Sequence, residues 1–271
     1  MHAIRSVLKE YEMSTIKFVR LSALALLFAM MVGCASTSDP ADAYKGETGE
    51  QIFEKGEKAM RDHSYREAIK RFEALDVQYP LGHHTEIAQL QIIYAYYMTD
   101  DYALAETSAD RFIHSHPTNP HVDYAYYMRG LSNYFQNMGV FERIFAVDLA
   151  TRDLNQIKKS YDDFAELVER FPDSKYAPAA RQYMIYLRNT LANHELQVAQ
   201  YYYDREAYVA AANRANIVVR HYQGAPAVAD ALVIMAKSYR ALQLKANEQE
   251  TMAVLQYNFP NSSYVKEASQ S

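Results

Sequence analysis

One spacing recurs along this chain and limits what it can fold into. Tyr65, Ala68, Phe72, Leu75 and Tyr79-Pro80 return a step of 37 residues later as Tyr102, Ala105, Ala109, Phe112 and His116-Pro117. Further copies are Ser160, Phe164, Leu167 and Phe171-Pro172, then Tyr208, Ala211, Ala215, Val218 and Tyr222 without the proline, then Met252, Leu255 and Phe259-Pro260. Residues three, four and seven apart share a helical face, so each copy predicts a helix with one apolar stripe. A small Ala lets a second helix approach, and the aromatic beside it fills the gap. Proline ends the helix and turns the chain. Gly56 stands one helix before Ala68, at the expected close crossing of the pair. Gly and Pro are scarce at 8 each, and the plentiful Ala, Leu, Met, Glu and Arg favour helix over sheet.

This helix–turn–helix unit resembles the tetratricopeptide repeat, with Gly56, Ala68, Phe72 and Pro80 on its signature positions and Ile52 where that repeat begins with Trp. The resemblance implies an all-α superhelix of five helix–turn–helix repeats. Thr48 and Gln51 have the spacing of a capping box that opens the first helix. Two departures stand out. In repeat three the glycine is Gly130, but the second helix is reached only near Ser160, which implies an insertion of about 18 residues around NMGVFERIFAVDLATRDLNQ, 137–156. After Pro178 no breaker interrupts the chain, so a single helix of about 28 residues links an N-terminal set of repeats (50–175, repeats 1–3) to a C-terminal pair (176–271, repeats 4–5).

The chain's only cysteine, Cys34, directly follows an apolar run. Leu21 to Val32 is about a dozen residues, too short to span a membrane but the size of a signal-peptide core. Lys17 and Arg20 precede it, and a leader starting at Met13 has the standard layout. Met31-Val32-Gly33-Cys34 resembles the lipobox of bacterial lipoproteins. That implies a signal peptide over 1–33 and a covalent lipid on Cys34. Three acyl chains would anchor firmly where one binds only marginally. Ala35, not Asp, follows the cysteine, which by the usual sorting rule points to the outer membrane. Residues 34–49 are small and polar and read as a flexible, lipid-anchored tether. Without 1–33 the net charge is about −7, which gives no electrostatic reason to expect nucleic acid.

No catalytic constellation is visible. His83-His84 and His114-x-His116 lie at proline-flanked turns with no carboxylate or thiol at ligand spacing, so they read as turn histidines and no metal is expected. Asp100-Asp101 and Asp162-Asp163 read as helix starts, where negative charge suits the dipole. The chain is expected not to be an enzyme and to need no cofactor beyond the lipid.

The aromatic positions carry more. There are 24 Tyr and no Trp. In tetratricopeptide arrays the first helix of each repeat lines the groove. Counting from the glycine position gives Phe53 in repeat one, Leu90, Tyr94 and Tyr97 in repeat two, and Tyr127, Leu131 and Tyr134 in repeat three. Phe53, Tyr94, Tyr97, Tyr127 and Tyr134 are therefore the substrate-binding candidates. Tyr suits an amphipathic groove because it joins contact area to a polar tip. The other reading of these tyrosines is packing between repeats.

Several stretches resemble the BamD family of lipoproteins in the β-barrel assembly machinery: EALDVQYPLG (73–82), IYAYY (93–97), DRFIHSHPTNPHVDYAYYMRGL (110–131), FAVDLATRD (145–153), LVERFPDSKY (167–176) and YYYDREAYVAAANR (201–214). The likeness covers essentially all of the mature chain. It implies a protein on the periplasmic face of the outer membrane. Its N-terminal repeats would receive nascent outer-membrane β-barrel proteins. Its C-terminal repeats would dock the periplasmic domains of BamA and other assembly-machinery lipoproteins. The partner-binding candidates are Phe145, Asp148, Arg152 and Asp153 in the insertion and Arg214 in repeat four. Phe141 joins them because Val140, Phe141, Ile144, Phe145 and Val147 would form an exposed apolar patch unless they fold back on the repeats. Two rivals are a secretin pilotin, whose repeats would lack the insertion, and a peptidoglycan-associated enzyme or binder, which would need a catalytic constellation.

Overall fold

The computed structural model describes residues 39–40, 42–136, 154–260 and 263–269, and among these every regular element is an α-helix. They are α1 Gly49–Arg61, α2 Tyr65–Gln78, α3 Thr85–Met98, α4 Tyr102–Ser115, α5 Val122–Gln136, α6 Leu154–Arg170, α7 Ala177–Tyr203, α8 Tyr208–His221, α9 Ala227–Ala241, α10 Lys245–Asn258 and α11 Ser263–Ser269. All eleven belong to a unit spanning 44–271. Within the described residues they run as five pairs, α1/α2 to α9/α10, followed by the short α11. No helix there is long and apolar enough to cross a membrane.

The repeat is written into the turns as well as the helices. Inside four of the pairs the chain passes through one left-handed residue: His63 (φ 56°), Asp100 (φ 64°), Glu206 (φ 60°) and Gln243 (φ 59°). The next N–H then bonds a carbonyl five residues back: Ser64 to Ala59 (2.8 Å), Asp101 to Tyr96 (3.0 Å), Ala207 to Tyr202 (3.0 Å) and Leu244 to Tyr239 (2.9 Å). A side chain in that conformation costs roughly 1–2 kcal/mol, and the recovered carbonyls offset it. Between pairs a second pattern repeats. Tyr79, His116, Phe171, Tyr222 and Phe259 each donate to the carbonyl four back, on Leu75, Phe112, Leu167, Val218 and Leu255. At Tyr222, where the proline is missing, Gly224 takes a positive φ of 77° and makes the turn instead.

Each helix packs on the next in sequence. First helices also meet across repeats, α3 with α5 and α7 with α9, so they line the inner side of the stack. Phe72, Leu75 and Ile52 fill the core of the first pair. Phe112, Phe164, Leu167 and Leu187 fill the next, which is rich in aromatics. The following core is rich in alanine: Ala192, Ala199, Ala211 and Ala215 with Val218. At Gly56 an added Cβ would strike the ring of Phe72, so the close crossing expected there is present. The Thr48–Gln51 capping box forms in both directions, at 3.0 and 3.3 Å. The long helix expected after Pro178 is α7, 27 residues, with proline in its first turn.

Three expectations change. The second helix of repeat three starts at Leu154, so Leu154–Gln156 belong to α6 and not to the insertion. Consequently Asp162 and Asp163 lie within α6 and do not cap it. Asp163 is buried, and its Oδ1 lies 2.8 Å from Nε of Arg129, while its Oδ2 accepts from Asn133 at 2.6 Å. Burial pushes its pKa up to about 6, against the pull of Arg129. Asp101 does sit at the start of α4, but it makes no side-chain cap; it accepts from the Thr99 hydroxyl instead. Finally, the tether does not extend to residue 49. Tyr44 donates to Glu67 at 3.0 Å under the guanidinium of Arg71, 4.1 Å from its ring centre. Glu47 pairs with Lys55 (3.0 Å) and Arg71 (3.4 Å). Tyr44 and Glu47 together dock the segment from Tyr44 onward on α1 and α2.

Candidate functional site

A cavity of about 310 Å³ opens on the inner side of the N-terminal pairs. Met60 of α1 forms one edge. Ile87, Leu90, Gln91 and Tyr94 of α3 form one wall, and His121, Tyr124 and Tyr176 at the starts of α5 and α7 form the other. Tyr94 and Ile87 are exposed within it, at 37% and 44%. No carboxylate or ammonium lines it. Tyr65 of α2 meets Tyr94 edge-on at 6.1 Å.

From the cavity a row of rings continues along the first helices. Tyr124 lies 5.6 Å from Tyr176, and Tyr127 stacks on Tyr176 at 5.0 Å. Tyr183 stacks on Phe164 at 5.0 Å and meets Tyr134 at 5.2 Å, and Tyr134 meets Tyr186 at 6.1 Å. Burial, with the neighbouring tyrosines behind it, raises the pKa of Tyr124 and Tyr134 well above the usual phenol value. Both remain neutral at physiological pH and can donate hydrogen bonds. The Lys175 ammonium sits 5.0 Å from the Tyr176 ring centre. Apolar walls and phenol groups suit an aromatic peptide segment.

The sequence-derived candidates divide. Tyr94 lines the cavity, with Leu90 beside it. Tyr97 packs edge-on against Tyr102 (5.5 Å) and Phe135 (5.7 Å). Tyr127 and Tyr134 are half-buried in the same ring row, packed against the core. Phe53 is corrected: only 6% exposed, it stacks on His84 at 4.3 Å and belongs to the first core. Counting from the glycine missed Tyr124 and Tyr176, because the cavity sits at the N-terminal ends of α5 and α7, about a turn before the counted positions. Tyr124 was nevertheless visible as the first ring of DYAYYM.

Arg214 stays partly exposed on α8, its side chain 43% accessible, with its Nη1 3.0 Å from Glu195 of α7. Phe141, Phe145, Asp148, Arg152 and Asp153, and Cys34, lie outside the described residues. The turn histidines have local partners: His84 with Glu50 at 2.8 Å and His116 with Glu86 at 3.7 Å. Among the described residues no cluster of His, Cys, Asp or Glu is placed to hold a metal ion.

The family model described as "YfiO: Outer membrane lipoprotein" matches residues 45–255. The chain is similar to "Outer membrane protein assembly factor BamD" of Neisseria meningitidis serogroup B, 36% identical over 80% of this chain and 82% of that one. The protein of the same name from Xylella fastidiosa is 35% identical over 91% and 84%, and that from Vibrio cholerae 34% over 89% and 99%. The solved structure of PilW, a type IV pilus biogenesis factor, aligns over 80% of this chain and 96% of its own at 15% identity, with a TM-score of 0.26, too loose a superposition to bear on the fold.

Proposed function

The chain belongs to the YfiO family of outer membrane lipoproteins, and on that footing we propose that it serves outer-membrane protein assembly by receiving the aromatic end of nascent β-barrel proteins in its tyrosine-lined cavity. The observation that carries this reading is the cavity itself. It is apolar and lies on the inner side of the first helices, and Lys175, whose ammonium lies 5.0 Å from the ring centre of the lining Tyr176, is the cation we assign to a terminal carboxylate. Relatives matched over most of their length bear the name of an assembly factor, not of an enzyme. Docking on the periplasmic domains of BamA and on sister lipoproteins belongs to the same reading, through the insertion and repeat four. So does a division of labour between 50–175 and 176–271.

Peptides ending in the C-terminal aromatic of an outer-membrane β-barrel should bind the chain, and Tyr94→Ala with Tyr124→Ala should weaken them by about 2–4 kcal/mol, the range of hot-spot truncations. Isothermal titration would read the loss, with circular dichroism checking that the helices persist. Unchanged affinity would place the client elsewhere.

Anchoring is proposed through a lipid on Cys34 at the periplasmic face of the outer membrane. Labelling with a radioactive fatty acid should mark the wild type and leave Cys34→Ala unmarked. Equal labelling of both would remove the lipid anchor from this account.

A further inference from the structure

A second cavity, of about 360 Å³, opens between α7, α9 and α11. Leu196 and Tyr203 of α7 and Val233 and Ile234 of α9 give it apolar walls. Three charged side chains also line it. Lys237 lies 3.1 Å from Glu267, so its ammonium is already engaged. Asp230 remains: among the described residues no cation or hydrogen-bond donor is placed against its carboxylate. Its position in the first turn of α9 favours a negative charge. Burial and the nearby Glu267 oppose it and push its pKa upward. The cavity therefore holds one carboxylate without a cation of its own, among apolar side chains and the amides of Gln197 and Gln200.

We propose that this cavity receives a basic side chain, arginine or lysine, from a partner protein whose flanking residues are apolar. Charge complementarity selects the sign, since a cation at Asp230 replaces the repulsion from Glu267 with an attraction. The walls select the shape. A hydrated metal ion gains nothing from Leu196, Val233 and Ile234, whereas the aliphatic stem of a long basic side chain packs on them while its head meets the carboxylate. Arginine fits better than lysine, because its planar fork can engage a carboxylate with two hydrogen bonds. The tyrosine-lined cavity has no carboxylate in its lining, so it does not select for a cation. The proposal stands independently of the client reading.

The test uses the full-length chain in detergent micelles with isotope-labelled Ile, Leu and Val methyls. Two acetylated, amidated tetrapeptides are titrated, Leu-Arg-Leu-Val and Leu-Glu-Leu-Val. The arginine peptide should shift the methyls of Val233 and Ile234 and bind at least tenfold more tightly than the glutamate peptide. Asp230→Asn, which keeps size and shape, should cut the affinity of the arginine peptide at least fivefold, with Glu267→Gln as a milder companion. Equal binding of the two peptides, no shift at Val233 and Ile234 at millimolar peptide, unaltered affinity in Asp230→Asn, or shifts confined to Ile87 and Leu90 would each overturn it.

Discussion

Arg129→Met should destabilise the fold by about 3–5 kcal/mol, the usual effect of removing one partner from a buried ionic group. Arg129 is 9% exposed on α5 and sits at the centre of three carboxylates. Its Nε lies 2.8 Å from Asp163, its Nη1 3.1 Å from Asp110 and its Nη2 2.6 Å from Glu166. Methionine fills the volume but leaves Asp163 buried without its cation. The deficit should depend on pH with a definite sign. Asp163 already has a folded pKa of about 6, above its ordinary 3.8, so the folded state holds this proton more tightly than the unfolded state does. Stability from that proton is present below about pH 4 and fades as pH rises through the folded pKa. Without Arg129 the folded pKa climbs further. The gap between variant and wild type should then be smallest below about pH 6 and widen above it. Urea titrations at pH 5 and pH 8 would read this. A gap that is constant, or larger at pH 5, would mean that Asp163 is not the group left unpaired.

Phe164→Ala should cost about 3–5 kcal/mol, as expected for a wholly buried ring. The more telling measurement is its coupling to Gly130. A Cβ on Gly130 would stand 2.7 Å from Cε1 of Phe164, closer than real side chains approach. In the wild type, Gly130→Ala should therefore lose about 1–3 kcal/mol to overpacking, despite a gain of roughly 1 kcal/mol in helix propensity. In the Phe164→Ala background the obstacle is gone. The new methyl enters the void and the propensity gain appears, so the double variant should be at least as stable as Phe164→Ala alone. Simple addition of the two losses in denaturant titrations would show that the pair does not set the spacing between α5 and α6.

The repeats were legible because their signal is local. Ala68 and Phe72, Gly56 and Pro80 sit on helical spacings that a short window exposes, and Thr48 with Gln51 marks a helix start by itself. The left-handed turn residues were not legible. His63, Asp100, Glu206 and Gln243 share a backbone conformation but no side-chain type. The Arg129 group was hidden for another reason. Its carboxylates stand on α4 and α6, and only the stacking of three helices brings them together. The candidate site was half legible. Tyr94 follows from groove counting, whereas Tyr124 and Tyr176 enter because two helix starts converge, which no single periodicity records.

One helix joins the two aromatic and alanine-rich cores. Leu187 and Leu191 of α7 belong to the first, and Ala192, the next residue, to the second. At 1.5 Å per residue its 27 residues make a rod of about 40 Å. After Pro178 it contains no glycine or proline at which to bend. Tyr176, at its head, walls the tyrosine-lined cavity, and Leu196 and Tyr203, toward its tail, wall the acidic one. The two cavities therefore share one continuous element, and a link between their occupants would have to run through it. Whatever free energy the tail's occupant adds to or takes from grip at the head, the head's occupant must return in equal measure at the tail.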